Sequence, residues 1–338
     1  MAQDATAQDS TLPSPSPART AWQQWRMLRE ESLAAEFGWL TLTSYQWLPS
    51  APAPVELVPG RFGAGPDGAV FEPDGAEVLG CDDDAPVTAP LTRALAEGES
   101  VDWLRTRDVT GQDTVVELGV RGGRYMVRTH ARRSPQLDAF DGVPTFDYNP
   151  AWVVPGRFEA YPEPRPVEVG TYRPDTRLDK VLAGEVVFEM PAAFPHRLAA
   201  EQNPDGSLAI AFHDASNGDT TPEWRFVTVP APGPDGTVTL DFNRTLFYPF
   251  AFSQFAVCPR PPEGNRLEIA VNAGERSERP APTGGFATGG NPTGVSTTGG
   301  PATGGNPTDG STTGGPATGV DPTGGTATAE GGARHTGE

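Results

Sequence analysis

Residues 208–229 read LAIAFHDASNGDTTPEWRFVTV. Leu208, Ile210 and Phe212 alternate with small residues, and after a polar stretch Trp224, Phe226 and Thr228 alternate again. Side chains of a strand point to opposite faces with a period of two, so this stretch predicts two strands joined by a polar loop. Further on, Val238, Leu240 and Phe242 repeat the pattern, as do Leu267, Ile269 and Val271. Upstream, WLTLTSYQW (39–47) sets Leu40 and Leu42 opposite Thr41 and Thr43.

Turn chemistry agrees with this reading. Pro-Asp-Gly begins at Pro66, Pro73, Pro204 and Pro234, and Gly122-Gly123 joins TVVELGVR to RYMVRTH. Proline presets the first turn position, aspartate closes a side-chain turn and glycine accepts positive φ. Hairpins are expected at Pro66, Pro204, Pro234 and Gly122. One amphipathic helix is expected over 20–37, with Thr20 as N-cap, Gln23 in capping-box spacing, and Trp22, Trp25 and Leu28 inward. The segment Val87–Glu99 reads as a short helix or linker. The fold class is mainly β: an antiparallel sandwich or barrel-like domain with one N-terminal amphipathic helix.

Composition divides the chain into an N-terminal segment 1–19, a globular domain 20–280 and a tail 281–338. Of the tail's 58 residues, 18 are Gly and 14 are Thr, with a 15-residue repeat (NPTGVSTTGGPATGG, then NPTDGSTTGGPATGV) that has no apolar stripe. Such a segment cannot bury enough surface to offset its ordering entropy, so disorder is expected. Both the absence of a charged-then-apolar leader and that of an 18-residue apolar run point to a cytoplasmic chain without a membrane span.

The formal net charge of −19 argues against nucleic acid and anionic membrane as partners. Lys180 is the sole lysine, so Schiff-base chemistry would rest on it alone. His130, His196, His213 and His335 are scattered, with no CxxC, HExxH, P-loop, GxSxG or GxGxxG, so neither a metal nor a cofactor is expected.

Polar residues concentrate at strand ends in HDASNGDTTPEWRF (213–226), LDFNR (240–244), CPRPPEGNRLE (258–268) and NAGER (272–276). Asp214, Asp241 and Glu275 are the candidate acid–base carboxylates. His213, Asn217, Arg225, Asn243 and Asn265 are the candidate ligand-binding residues, with Arg225 able to offer its fork to an anion. Each has a structural alternative. Asp214 can close the Ser216-Asn217-Gly218 turn, the asparagines can bond backbone, and a covered Arg225 needs a carboxylate, for which Asp241 is the sequence's candidate. Cys258 reads as a buried thiol.

In this order, GWLTLTSYQWL (38–48), HDASNGDTTPEWRF, LDFNRTLFYPFAFSQFAVCPRPPEGNRLE and AGE (273–275) resemble the bacterial family catalogued as domain of unknown function 1684, over roughly residues 20–278. The chain departs from that pattern at Ser216, at Thr221-Pro222 and at Phe247-Tyr248-Pro249-Phe250, where the family has Asn-Pro-Pro-Cys. The resemblance implies no activity. Three readings follow from the residues: a module binding a small polar or anionic molecule in a loop-lined pocket, a hydrolase using Asp/Glu chemistry with an Arg clamp, or a structural or protein-interaction module.

Overall fold

The computed structural model describes residues 16–174, 176–190 and 195–277. The tail expected at 281–338 and most of the N-terminal segment lie outside them. In chain order the elements are α1 (Pro17–Leu33), β1 (Leu42–Trp47), β2 (Arg61–Gly65), β3 (Gly68–Glu72), β4 (Val78–Gly80), β5 (Leu91–Arg93), β6 (Ser100–Arg107), β7 (Asp113–Arg121), β8 (Arg124–Ala131) and a one-turn α2 (Pro135–Asp138). The second half holds β9 (Val153–Gly170), β10 (Arg177–Phe188), β11 (His196–Gln202), β12 (Leu208–Phe212), β13 (Arg225–Val229), β14 (Thr237–Asp241) and β15 (Leu246–Phe247).

The protein is mainly β, and its strands form three antiparallel sheets. Five strands pair in the order β1-β8-β7-β6-β4, three in the order β2-β3-β5, and seven in the order β14-β9-β10-β11-β12-β13-β15. The first two sheets enclose one core, with Phe62, Phe71, Trp103, Leu104, Val116, Leu118 and Val127. In the seven-stranded sheet β13 lies beside β14 from near the opposite edge, so the sheet curls in barrel-like fashion. Val186, Phe188, Leu198, Ile210, Phe212, Val227, Leu240 and Phe242 fill that curl. A third cluster of Trp224, Phe226, Tyr248, Phe250 and Cys258 meets Trp25, Trp39 and Tyr172 and joins the two halves.

Local chemistry explains most of these elements. Gly122 and Gly123 both take positive φ (58° and 71°), the two-residue turn that matches strand twist between Arg121 and Arg124. Hairpins also form at Pro66, between β2 and β3, and at Pro204, between β11 and β12. The Pro234 turn instead leads into β14, which pairs with β9 rather than with its sequence neighbour β13.

Several sequence expectations need correction. Helix α1 starts three residues early, because Ser16 caps it (Oγ accepts from Arg19 N, 3.3 Å) and Pro17 supplies a preset φ at its first position. Its inward stripe is Trp22, Arg29 and Leu33, with Arg26 half-buried, whereas Leu28 is 58 % exposed. The Val87–Glu99 segment holds no helix: Leu91–Arg93 forms the edge strand β5. The Leu40–Thr41 alternation fails because Trp39–Thr41 is a 3-10 turn in which Leu40 and Thr41 are both buried. Leu267–Val271 alternates but is no strand. Leu267 and Val271 reach the core from irregular backbone held by isolated bridges and side chains.

Candidate functional site

The sequence-selected residues separate into three places. The largest group is interior. Arg225 is the first residue of β13, where its parity puts it on the core side with Val227 and Val229, fully buried. Its Nη2 donates to Asp214 Oδ2 at 2.7 Å and to the Val271 carbonyl at 2.8 Å; Nη1 donates to the Ala273 carbonyl at 2.8 Å. Burial lowers the arginine's pKa, and Asp214 opposes that shift. The other oxygen of Asp214 accepts from Ser216 N and Val271 N (2.8 and 3.2 Å), while Asn217 Oδ1 accepts from Asp214 N. The pairing of Arg225 with Asp241 expected from strand parity is therefore wrong. Asp214 lies in the loop immediately after β12, whose last residue, Phe212, is the cross-strand partner of Arg225.

Glu275 belongs to the same interior. Its Oε1 accepts from Arg29 Nε of α1 at 3.0 Å and its Oε2 accepts from Phe247 N at 2.5 Å. Gly274, at φ 76°, lets the segment press on β15's approach: a Cβ there would sit 2.4 Å from the Thr245 carbonyl. Two buried ion pairs, Arg225–Asp214 and Arg29–Glu275, thus fasten the irregular segment 271–277 to the curled sheet and to α1. Buried charges are tolerated when paired and hydrogen-bonded, which is the arrangement here.

Asp241 and Asn243 lie apart, at the end of β14. Asp241 caps the following 3-10 turn through Asn243 N (3.1 Å) and pairs with Arg244 (3.3 Å). Asn243 bonds the backbone of Asn149 in both directions, and its carbonyl accepts from Trp22 Nε1. Asn265 clamps the Ala199 and Ala211 backbone. His213 is half-buried with Nδ1 donating to the Glu223 carbonyl at 2.9 Å, and burial lowers its pKa. Cys258 is buried.

Sequence reasoning missed a second polar site, on the five-stranded sheet. Tyr45, Arg128, Glu117 and Asp102 are successive cross-strand partners on β1, β8, β7 and β6, all on the face away from Val116 and Leu118. Arg128 reaches both Glu117 oxygens at 3.4 Å, and His130 Nε2 lies 3.1 Å from Glu117 Oε2. Burial works to raise the Glu117 carboxyl, but Arg128 and His130 outweigh it and hold the pKa at about 2. Burial raises Asp102 to about 6. The signal for this row was available: TVVELGVR and RYMVRTH set Glu117 and Arg128 at paired hairpin positions.

The row runs on into the junction with the second half. The Arg128 guanidinium carbon lies 5.4 Å from the Trp39 ring and 5.8 Å from Tyr45. Arg173, from the loop after β9, lies 4.5 Å over the same Tyr45 ring. Tyr172 stacks on Phe250 (4.9 Å), Phe250 packs on Trp224 (4.3 Å), and Arg260 covers Trp224 at 4.4 Å. Buried donors Trp224 Nε1 and Arg173 Nε have no hydrogen-bond partner. Guanidinium–aromatic contacts of this kind hold cations without neutralising them. Among the described residues no cluster of His, Cys, Asp and Glu could hold a metal ion, and no helix is long and apolar enough to cross a membrane.

With this geometry established, comparison with known proteins shows what the chain is similar to. Residues 138–276 match the family model described as protein of unknown function (DUF1684). The DUF1684 match covers the seven-stranded sheet and the interior ion pairs Arg225–Asp214 and the Glu275 side of the second; α1 and the five-stranded sheet precede it. The chain is also similar to an uncharacterized protein of Haloarcula marismortui solved by solution NMR, with 28% identity over 42% of this chain and 79% of that one, at a TM-score of 0.36. No curated protein matches.

Proposed function

We propose that this domain binds a small polar or anionic molecule at the junction between its two halves, and that residues 20–280 form the working unit. The observation that carries this reading is Arg173. Its guanidinium rests on Tyr45, and its Nε is buried without a hydrogen-bond partner. A cation held over an aromatic face, beside Arg128 and Trp39, offers an anion a fork and a flat apolar wall. Orphaned buried donors cost about 1–3 kcal/mol each, a cost that an acceptor-bearing ligand removes.

On this reading the ligand sits away from the residues first suspected. Both oxygens of Asp214 and of Glu275 and both terminal nitrogens of Arg225 are taken by backbone groups or by the opposite charge of an ion pair, with only Arg225 Nε left without a partner, which supports a fastening role for them. The hydrolase reading would need one of those carboxylates to exchange protons with a substrate, and nothing in their surroundings favours it.

Thermal-shift measurements on a panel of small carboxylates and phosphates test the proposal. A ligand of the native state stabilises by mass action, about 2.7 kcal/mol at a hundredfold excess over Kd. The expected result is a hit whose shift disappears in Arg173→Gln while the unliganded midpoint stays put. A hit equally strong in that variant, or no hit at all, would contradict the proposal.

A further inference from the structure

His130 of β8 is buried, and each of its ring nitrogens faces an acceptor. Nε2 meets the Glu117 carboxylate at 3.1 Å, and a carboxylate held at a pKa of about 2 can only accept. Nδ1 lies 3.2 Å from the Gly38 carbonyl and 3.2 Å from Thr41 Oγ1. The Thr41 hydroxyl donates its own hydrogen to Gly38 at 2.7 Å, so it too presents a lone pair to the ring. A neutral imidazole has one N–H and cannot donate to both Glu117 and the Gly38 carbonyl; both donations are made together when the ring carries two protons.

What His130 joins gives this a consequence. Gly38–Thr41 is the turn that leaves α1 and carries Trp39, whose ring stands against Arg128 at the junction. The charged groups around His130 are Glu117 from β7, Arg128 from its own strand, and Asp102 with Arg105 from β6; Cys81 lies beyond Asp102. Glu117 is the carboxylate that both Arg128 and His130 contact. We propose that His130 is a proton-operated latch, holding the Trp39 turn against the five-stranded sheet when doubly protonated and releasing it when one ring proton leaves. Its effect on ligand affinity rests on the binding reading above; the latch itself does not.

The test uses the ligand-free full chain. Long-range 1H–15N spectra follow the His130 ring from pH 5 to 8, while hydrogen exchange follows the Thr41 amide, which donates to the same Gly38 carbonyl at 3.1 Å. The expected result is one shared midpoint, with Thr41 protection, corrected for intrinsic exchange chemistry, falling on the order of tenfold as the ring loses its proton, the loss of one charge-assisted hydrogen bond. Glu117→Gln removes the carboxylate that demands the second proton, so both midpoints should move down together. A ring that titrates while Thr41 protection stays constant overturns the latch, as does a ring whose protonation never changes across the range. Failure of the ligand panel alone leaves the ring–amide coupling intact, so the two results are separable.

Discussion

Asp102 and Glu117 stand directly opposite each other on β6 and β7, yet their proton affinities move in opposite directions. Burial dominates at Asp102 and raises it from 3.8 to about 6. The folded protein therefore binds a proton there more tightly than the unfolded chain, and stability falls as pH rises from about 4 to 6. Asp102→Asn should be neutral at pH 4 and stabilising at pH 7.5 by about 1–2 kcal/mol, part of the full shift being screened because the group is not wholly covered. Denaturant midpoints at the two pH values check this. A variant less stable than wild type at pH 7.5 would mean that Asp102 is needed as a charge.

Glu117 gives the opposite sign. Its folded pKa of about 2, against an ordinary 4.5, adds stability that is complete above 4.5 and lost as pH falls towards 2. Glu117→Gln should flatten that acid limb of a urea-midpoint series between pH 5 and 2.5. At pH 7 the same variant should lose about 3–5 kcal/mol, because Arg128 and His130 are left in the interior without their carboxylate.

Helix α1 offers a packing test. Trp22 is 5 % exposed and also donates to the Asn243 carbonyl, whereas Leu28 points to solvent. Trp22→Ala should cost about 3–5 kcal/mol, and Leu28→Ala within about 0.5 kcal/mol, by equilibrium unfolding. Comparable losses would mean that the helix packs through a different face.

The contrast on α1 shows what was legible in the sequence. Period-two alternation and turn residues identified β12, β13, β14 and three of the hairpins, because strand burial and turn φ values are local properties. The helix face was misread because an inward arginine, Arg29, interrupts its apolar stripe; the partner that makes this possible, Glu275, is 246 residues away. Leu267–Val271 alternates without a strand for a related reason: its backbone bonds go to side chains such as Asp214 and Arg225 instead of a ladder. The candidate polar residues stand out in the sequence at strand ends, but spacing alone could not say that Asp214, and not Asp241, faces Arg225. The row from Tyr45 to Asp102 was overlooked because its members lie on four separate strands and form no sequence cluster.

Most directly exposed to test is the claim that the polar residues of the C-terminal third are an internal clamp. The measurement is a double-mutant cycle on Arg225 and Asp214, 2.7 Å apart and both fully buried as side chains. Arg225→Met and Asp214→Asn should each lose about 3–5 kcal/mol of unfolding free energy, since each leaves a buried charge unpaired. The double mutant should lose far less than the sum, because no orphaned charge remains. Strict additivity would contradict the clamp and return Arg225 to the pool of groups available to a ligand.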